Sequence, residues 1–160
     1  MTKTFEAQVS DWVAKSKKTV EAVVKESAQR VVAEAQKPVG SGGRMRVDTG
    51  FLRASGQAST SSMPAINANA VPGDGQGYQY SDGAIALVIA GASLGQTIYF
   101  GYTASYAAAR EYGARGQEPD AFVRTAAQKW PQIVKQVSKE AFARSGGESP
   151  SVLAIVTSAI

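Results

Sequence analysis

The side chains that most often carry chemistry near neutral pH are histidine and cysteine, and this sequence contains neither. Without cysteine there is no thiolate nucleophile, no sulfur-ligated metal and no disulfide framework. Without histidine there is no imidazole base and none of the usual zinc or iron ligands. Catalysis would have to rest on carboxylates, Lys, Tyr or Ser. Four clusters could be read that way, and each has a plainer reading. Asp74 and Asp82 stand in a Gly-rich stretch, but the alternating acids and terminal Glu of a calcium loop are missing, so turn formation is expected. Arg110, Glu111 and Tyr112 are adjacent, yet a single carboxylate is no acid–base pair, and surface or interface pairing is expected. Gly40 to Gly43 with Arg44 and Arg46 could suggest a phosphate cradle, but no strand leads in and no Gly-Lys-Ser/Thr follows, so a flexible linker is expected. Trp12 and Trp130 recur with the apolar residues of two helical stretches, which points to core or subunit packing and not to base stacking. No catalytic, cofactor-binding or metal-binding residue is assigned, and the chain is not expected to be an enzyme.

The elements that would position any site follow from periodicity. From Thr4 to Lys37 there is no Gly or Pro, and Phe5, Val9, Trp12, Val20, Val23, Val31 and Ala35 recur at spacings near three and four. That predicts one long amphipathic helix, with Thr2 or Thr4 as N-cap and Pro38 and Gly40 as its stop. At 1.5 Å per residue it would be about 45 Å long, more than a compact domain of this size can cover. The stretch VDTGFLRASG, Val47 to Gly56, is too interrupted for an ordinary helix and too polar for a buried strand. Residues 57–66 read as an irregular edge strand, 67–83 as an exposed loop, and Ala84 to Ala90 with Gln96 to Thr103 as two strands of a hairpin. A short Ala-rich helix then ends at Gly113, and a second long helix is expected from about Pro119 to Ala143, bent near Gln128 by Pro131. The expected architecture is α+β: a long N-terminal and a C-terminal helix packed on a small antiparallel sheet, as one domain over residues 1–147. The segment 148–160 is an apolar C-terminal tail in which Val152, Leu153, Ile155 and Val156 invite docking, either on the chain's own sheet or on a neighbouring subunit's edge.

The net charge of +4 sits on the helical ends: residues 1–46 hold nine Lys or Arg against five acids, 47–118 three against five, and 119–160 five against three. A basic helix face can bind nucleic acid, although exposed lysines more often serve solvation. The N-terminal residues mix charged and polar groups where a secretory signal needs an apolar run, and the apolar run AIALVIAGA is far short of a membrane span. Synthesis inside the cell and no membrane partner are the expectations.

One pattern spans most of the chain. T-G-x-L-R-x-S runs from Thr49 to Ser55; after the two predicted strands comes Y-A-x-x-x-E-Y-G, Tyr106 to Gly113; then P-x-x-F-x-R-x-A, Pro119 to Ala126. With the long helix before it, this order resembles the neck or tail-completion family of long-tailed bacteriophages over roughly residues 1–145. The resemblance implies a structural virion protein that joins head to tail, with Thr49, Gly50, Leu52, Arg53 and Ser55 forming a helix-to-sheet joint. In that joint Asp48 or Thr49 would cap a one-turn helix, Leu52 would anchor it and Arg53 would point outward. Tyr106, Glu111, Tyr112 and Gly113 would form a second corner, and Phe122, Arg124 and Ala126 the start of the C-terminal helix. The family pattern usually follows its Y-A-x-x-x-E-x-G with Thr, whereas Ala114 stands here, and the apolar tail after Gly147 lies outside the pattern. The implied partners are further copies of this chain in a ring, hexameric by preference or dodecameric, with virion proteins on the portal or adaptor side and on the tail-tube side. DNA would pass the lumen without sequence recognition, and no cofactor is implied. A tail terminator or minor tail protein, or a small basic DNA-binding protein, are the alternative readings.

Overall fold

The computed structural model describes residues 3–144. Its architecture is α+β. Helix α1 runs unbroken over Phe5–Ala35, as the Gly- and Pro-free stretch requires, and the Thr4 hydroxyl caps it by accepting from the Ala7 N–H at 3.3 Å. Its buried residues, Val23, Ser27, Val32 and Ala35, all lie in the C-terminal half. The N-terminal half stands clear of the body, with Phe5 81% and Trp12 54% exposed. The glycines after α1 do not form a loose linker. Val39–Ser41 make one 3₁₀ turn, the Gly43 N–H donates to the Pro38 carbonyl at 2.9 Å, and Met45 emerges fully buried.

Helix α2, Phe51–Ala54, leads directly into β1, Gly56–Ser59. β1 pairs antiparallel with β2, Tyr99–Tyr102, in the register Gly56 opposite Tyr102 and Ser59 opposite Tyr99. The expected edge strand over 57–66 is thus reduced to its first residues, and the expected hairpin is not formed. Residues 84–90 are helical: α3 spans Gly83–Gly91. A continuous apolar run has no period of its own, and here the positions four apart, Ile85 and Ile89, are buried against Val32 of α1 while Leu87 between them is 75% exposed. A strand would have put Ile85, Leu87 and Ile89 on one face. β2 therefore finds its partner far back in sequence, Tyr99 pairing with Ser59 and Tyr102 with Gly56 of β1, and not in its neighbour in sequence.

The short helix before Gly113 is α4, Ala107–Tyr112. The expected second long helix is two helices, α5 over Phe122–Gln128 and α6 over Trp130–Arg144, separated at Lys129. Pro131 breaks the run instead of bending it. A proline in a helix interior has no N–H to donate and clashes with the preceding turn, whereas in the first turn of α6 neither penalty applies.

α6 runs antiparallel to the C-terminal half of α1. Val23, Val134 and Val137 form their shared core, with Val20, Trp130, Ile133, Ala141 and Phe142 packed around it. Ion pairs flank the contact: Lys129 with Glu34 at 2.5 Å, Arg30 with Glu140 and Glu26, and Arg144 with Glu26 at 2.9 Å. Arg144 holds the Glu26 carboxyl below the usual carboxylate range, Lys129 does the same for Glu34, and Arg30 for Glu140. The docking expected of Val152, Leu153, Ile155 and Val156 lies outside the described residues.

Two expectations follow. Ile89→Ala should cost roughly 2–5 kcal/mol in urea denaturation, while Leu87→Gln should stay within about 0.5 kcal/mol; equal losses would restore the strand reading. Because the folded carboxyls of Glu26, Glu34 and Glu140 titrate below their unfolded values, the stability they contribute is present above the ordinary carboxylate range and is lost as pH falls through the lowered folded values. The denaturation midpoint should therefore drop on acidification. The drop should shrink in high salt, since these pairs are partly solvent-exposed and screened.

Candidate functional site

The motif residues converge on one joint. Gly50 precedes α2 with φ of 85°, and a Cβ there would overlap the Tyr78 carbonyl oxygen, so both conformation and space call for glycine. The Thr49 hydroxyl accepts from the Phe51 N–H at 3.3 Å, and the Thr49 carbonyl accepts from the Tyr78 N–H at 2.8 Å, which ties the exposed loop across the joint. Leu52 is buried with Met45, Tyr102, Ala104, Ala107 and Phe122. Ser55 donates through its hydroxyl to the Leu52 carbonyl at 2.7 Å and accepts from the Ala104 N–H at 3.3 Å, so one side chain closes α2 and fastens it to the end of β2. Arg53 does not simply point outward: its guanidinium lies over the Tyr80 ring, 4.1 Å from the centroid.

The second corner is built on two buried carboxylates. Glu111, 6% exposed, accepts from the Val123 N–H at 2.9 Å and the Arg124 N–H at 3.0 Å. It caps α5 from a different helix, where the residue in the N-cap position, Ala121, has no side chain able to do so. Arg124 returns the contact by donating to the Glu111 carbonyl at 3.3 Å and lies 5.7 Å from the Tyr112 ring centroid. Gly113 has φ of 82° and sits too close to the Gln117 carbonyl for a side chain. Phe122 packs edge-on against Tyr102 at 5.2 Å, and Ala126 is buried beside α1.

Asp120, 4% exposed, is the second carboxylate. It pairs with Arg46 and lies 3.0 Å from Arg110 Nη2, while its own carbonyl accepts from Arg44 Nε at 2.6 Å and its N–H donates to the Arg110 carbonyl at 2.8 Å. The adjacent Arg110, Glu111 and Tyr112 are thereby separated: Arg110 serves Asp120, Glu111 serves α5, and Tyr112 is 70% exposed. Neighbours on a helix do not face the same way. Sequence reasoning missed Asp120 as their partner because Arg44 and Arg46 lie 76 and 74 positions from it, and the nearer Arg110 stands on a separate element with no helical or strand spacing to link them.

Between the two corners lies a cleft of about 460 Å³, lined by Arg46, Asp48, Thr49, Arg53, Tyr106 and Arg110 among others. Burial raises the Tyr106 hydroxyl pKa, partly offset by a hydrogen bond to the Leu52 backbone. The arginines of this cleft already have protein partners: Arg46 and Arg110 hold Asp120, and Arg53 lies over the Tyr80 ring. Among the described residues no group of three or more acids could hold a metal ion, Asp74 and Asp82 included. Trp130 belongs to the α1–α6 core, whereas Trp12 lies outside it. No helix among the described residues is long and apolar enough to cross a membrane. No family model, curated protein or solved structure matches the chain.

The joint predicts graded losses. Gly50→Ala should destabilise by more than about 1 kcal/mol, through strain and the Tyr78 clash. Glu111→Ala should cost roughly 2–3 kcal/mol by uncapping α5, with Glu111→Gln falling between it and the parent chain, as read by urea denaturation.

Proposed function

We propose that this chain is a structural virion protein of a tailed bacteriophage, one subunit of a ring at the neck that joins head to tail and lets DNA pass. One observation carries the reading beyond the motif order: the three motif segments come together, with Leu52, Ala107 and Phe122 in one buried cluster, and Arg53, Arg110, Glu111 and Arg124 are each engaged within the chain. Such residues define a shape. A subunit that acts by geometry needs that rigidity, because a closed ring multiplies one interface by its symmetry, and a small error in subunit shape prevents closure. Exposed Leu87 on α3 and the exposed Met63, Ile66 and Val71 of the long loop offer apolar surface for contacts between subunits or with portal-side and tail-tube-side proteins.

A basic DNA-binding role is the weaker reading. Lys3, just before α1, pairs with Asp11, and within α1 Lys25 pairs with Glu21 and Arg30 with Glu26 and Glu140, so part of the positive charge is met within the chain. The test is biochemical: the protein should co-purify with virions in a fixed copy number. Its mass in solution, measured alone and with isolated tails, should rise to that of a ring with tails present. A monomer at every concentration that ignores heads and tails alike would overturn the neck reading.

A further inference from the structure

The N-terminal half of α1 carries an apolar stripe without a partner among the described residues. Phe5, Val9, Trp12 and Val13 are 81%, 43%, 54% and 38% exposed. With Ser16 they continue, within a band about 100° wide, the same helix face on which Val20 and Val23 meet α6. The face keeps its apolar character beyond the part of it that α6 covers.

The place where the described chain ends identifies that cover. Because α6 is antiparallel to α1, Lys129 sits by Glu34 at one end and Arg144 by Glu26 at the other. Arg144 therefore stands beside α1 with the α6 axis directed toward Phe5 and away from the sheet, which lies at the opposite end of α1 near Gln36. The open stripe from Val20 back to Phe5 is about 22 Å long at 1.5 Å per residue. Residues 145–160 span at most about 53 Å when extended, so they reach its whole length. They include Val152, Leu153, Ile155, Val156 and Ile160, with Glu148 as the single charged side chain. A second copy is the poorer fit, since four side chains on one helix arm fall well short of the roughly 800 Å² per partner that a stable interface buries.

We propose that the Phe5–Val9–Trp12–Val13 face of α1 is the docking site for residues 152–160 of the same chain, which continue along α1 the cover that α6 begins. This holds for the folded subunit by itself, whether or not it enters a ring.

Trp12 reports on the contact. The sequence has two tryptophans, so Trp130→Phe leaves Trp12 as the sole emitter. In that background Trp12 should be shielded from acrylamide, and the tail substitutions Leu153→Asp with Val156→Asp should shift its emission to the red and remove the shielding without changing the melting of the body. The shielding should be constant over roughly a hundredfold range of protein concentration, as an intramolecular contact requires. Equal quenching with and without the tail substitutions would overturn the proposal. Shielding that grows with concentration would do so too, by assigning the face to another copy. If Trp130→Phe fails to fold, amide exchange across residues 8–16 in the otherwise unaltered chain gives the same decision: faster with Leu153→Asp and Val156→Asp supports the docking, and unchanged rates overturn it.

Discussion

Two carboxylates, Glu111 and Asp120, are buried at the entry to α5, and a carboxylate out of water must be hydrogen-bonded or paired to be tolerated. Meeting that demand organises this corner of the molecule. Asp120 draws in Arg46 from the turn after α1 and Arg110 from α4, while Glu111 takes the first free N–H groups of α5. Three segments distant in sequence are thereby fixed relative to one another. Even the left-handed backbone of Ala121, φ 52°, is held in place because its N–H and that of Asp120 both bond to α4 carbonyls. Loosening either carboxylate would release the cluster of Met45, Leu52, Tyr102 and Phe122 that lies beneath.

α1 supplies the complementary constraint. Its C-terminal half serves two cores at once, Val23 against α6 and Val32 against α3, so the helix is the spine on which the other elements are hung. The salt bridges along α6 add orientation more than energy, being partly exposed. What the spine leaves uncovered is as informative as what it buries, because solvent-facing Phe and Trp side chains on a continuous apolar face call for a cover.

A joint of this kind gives each of its residues structural work. Thr49, Gly50, Ser55 and Gly113 answer needs of backbone geometry, and Glu111 and Arg124 answer those of capping. Fold and function are separate questions, and a frame of this rigidity serves assembly well only if its exterior meets the right partners.

The sequence by itself determined the elements whose signals are local. The absence of Gly and Pro and the Thr4 cap specify α1. Gly113 ends α4, whereas the helix-to-strand joint at Gly50 and Ser55 is expected only through the family resemblance. These need only neighbours within a few residues. Tertiary structure decided the rest. The apolar run at residues 84–90 suits a strand or a helix equally, and only the surface of α1 around Val32 selects the spacing of four that buries Ile85 and Ile89. Losing that strand, β2 paired with β1 instead. Arg53 turned onto Tyr80, and Asp120 became a hub for arginines that no local pattern links to it. Such contacts depend on which distant surfaces meet, and the energy that settles them arises only once burial has removed the competing water.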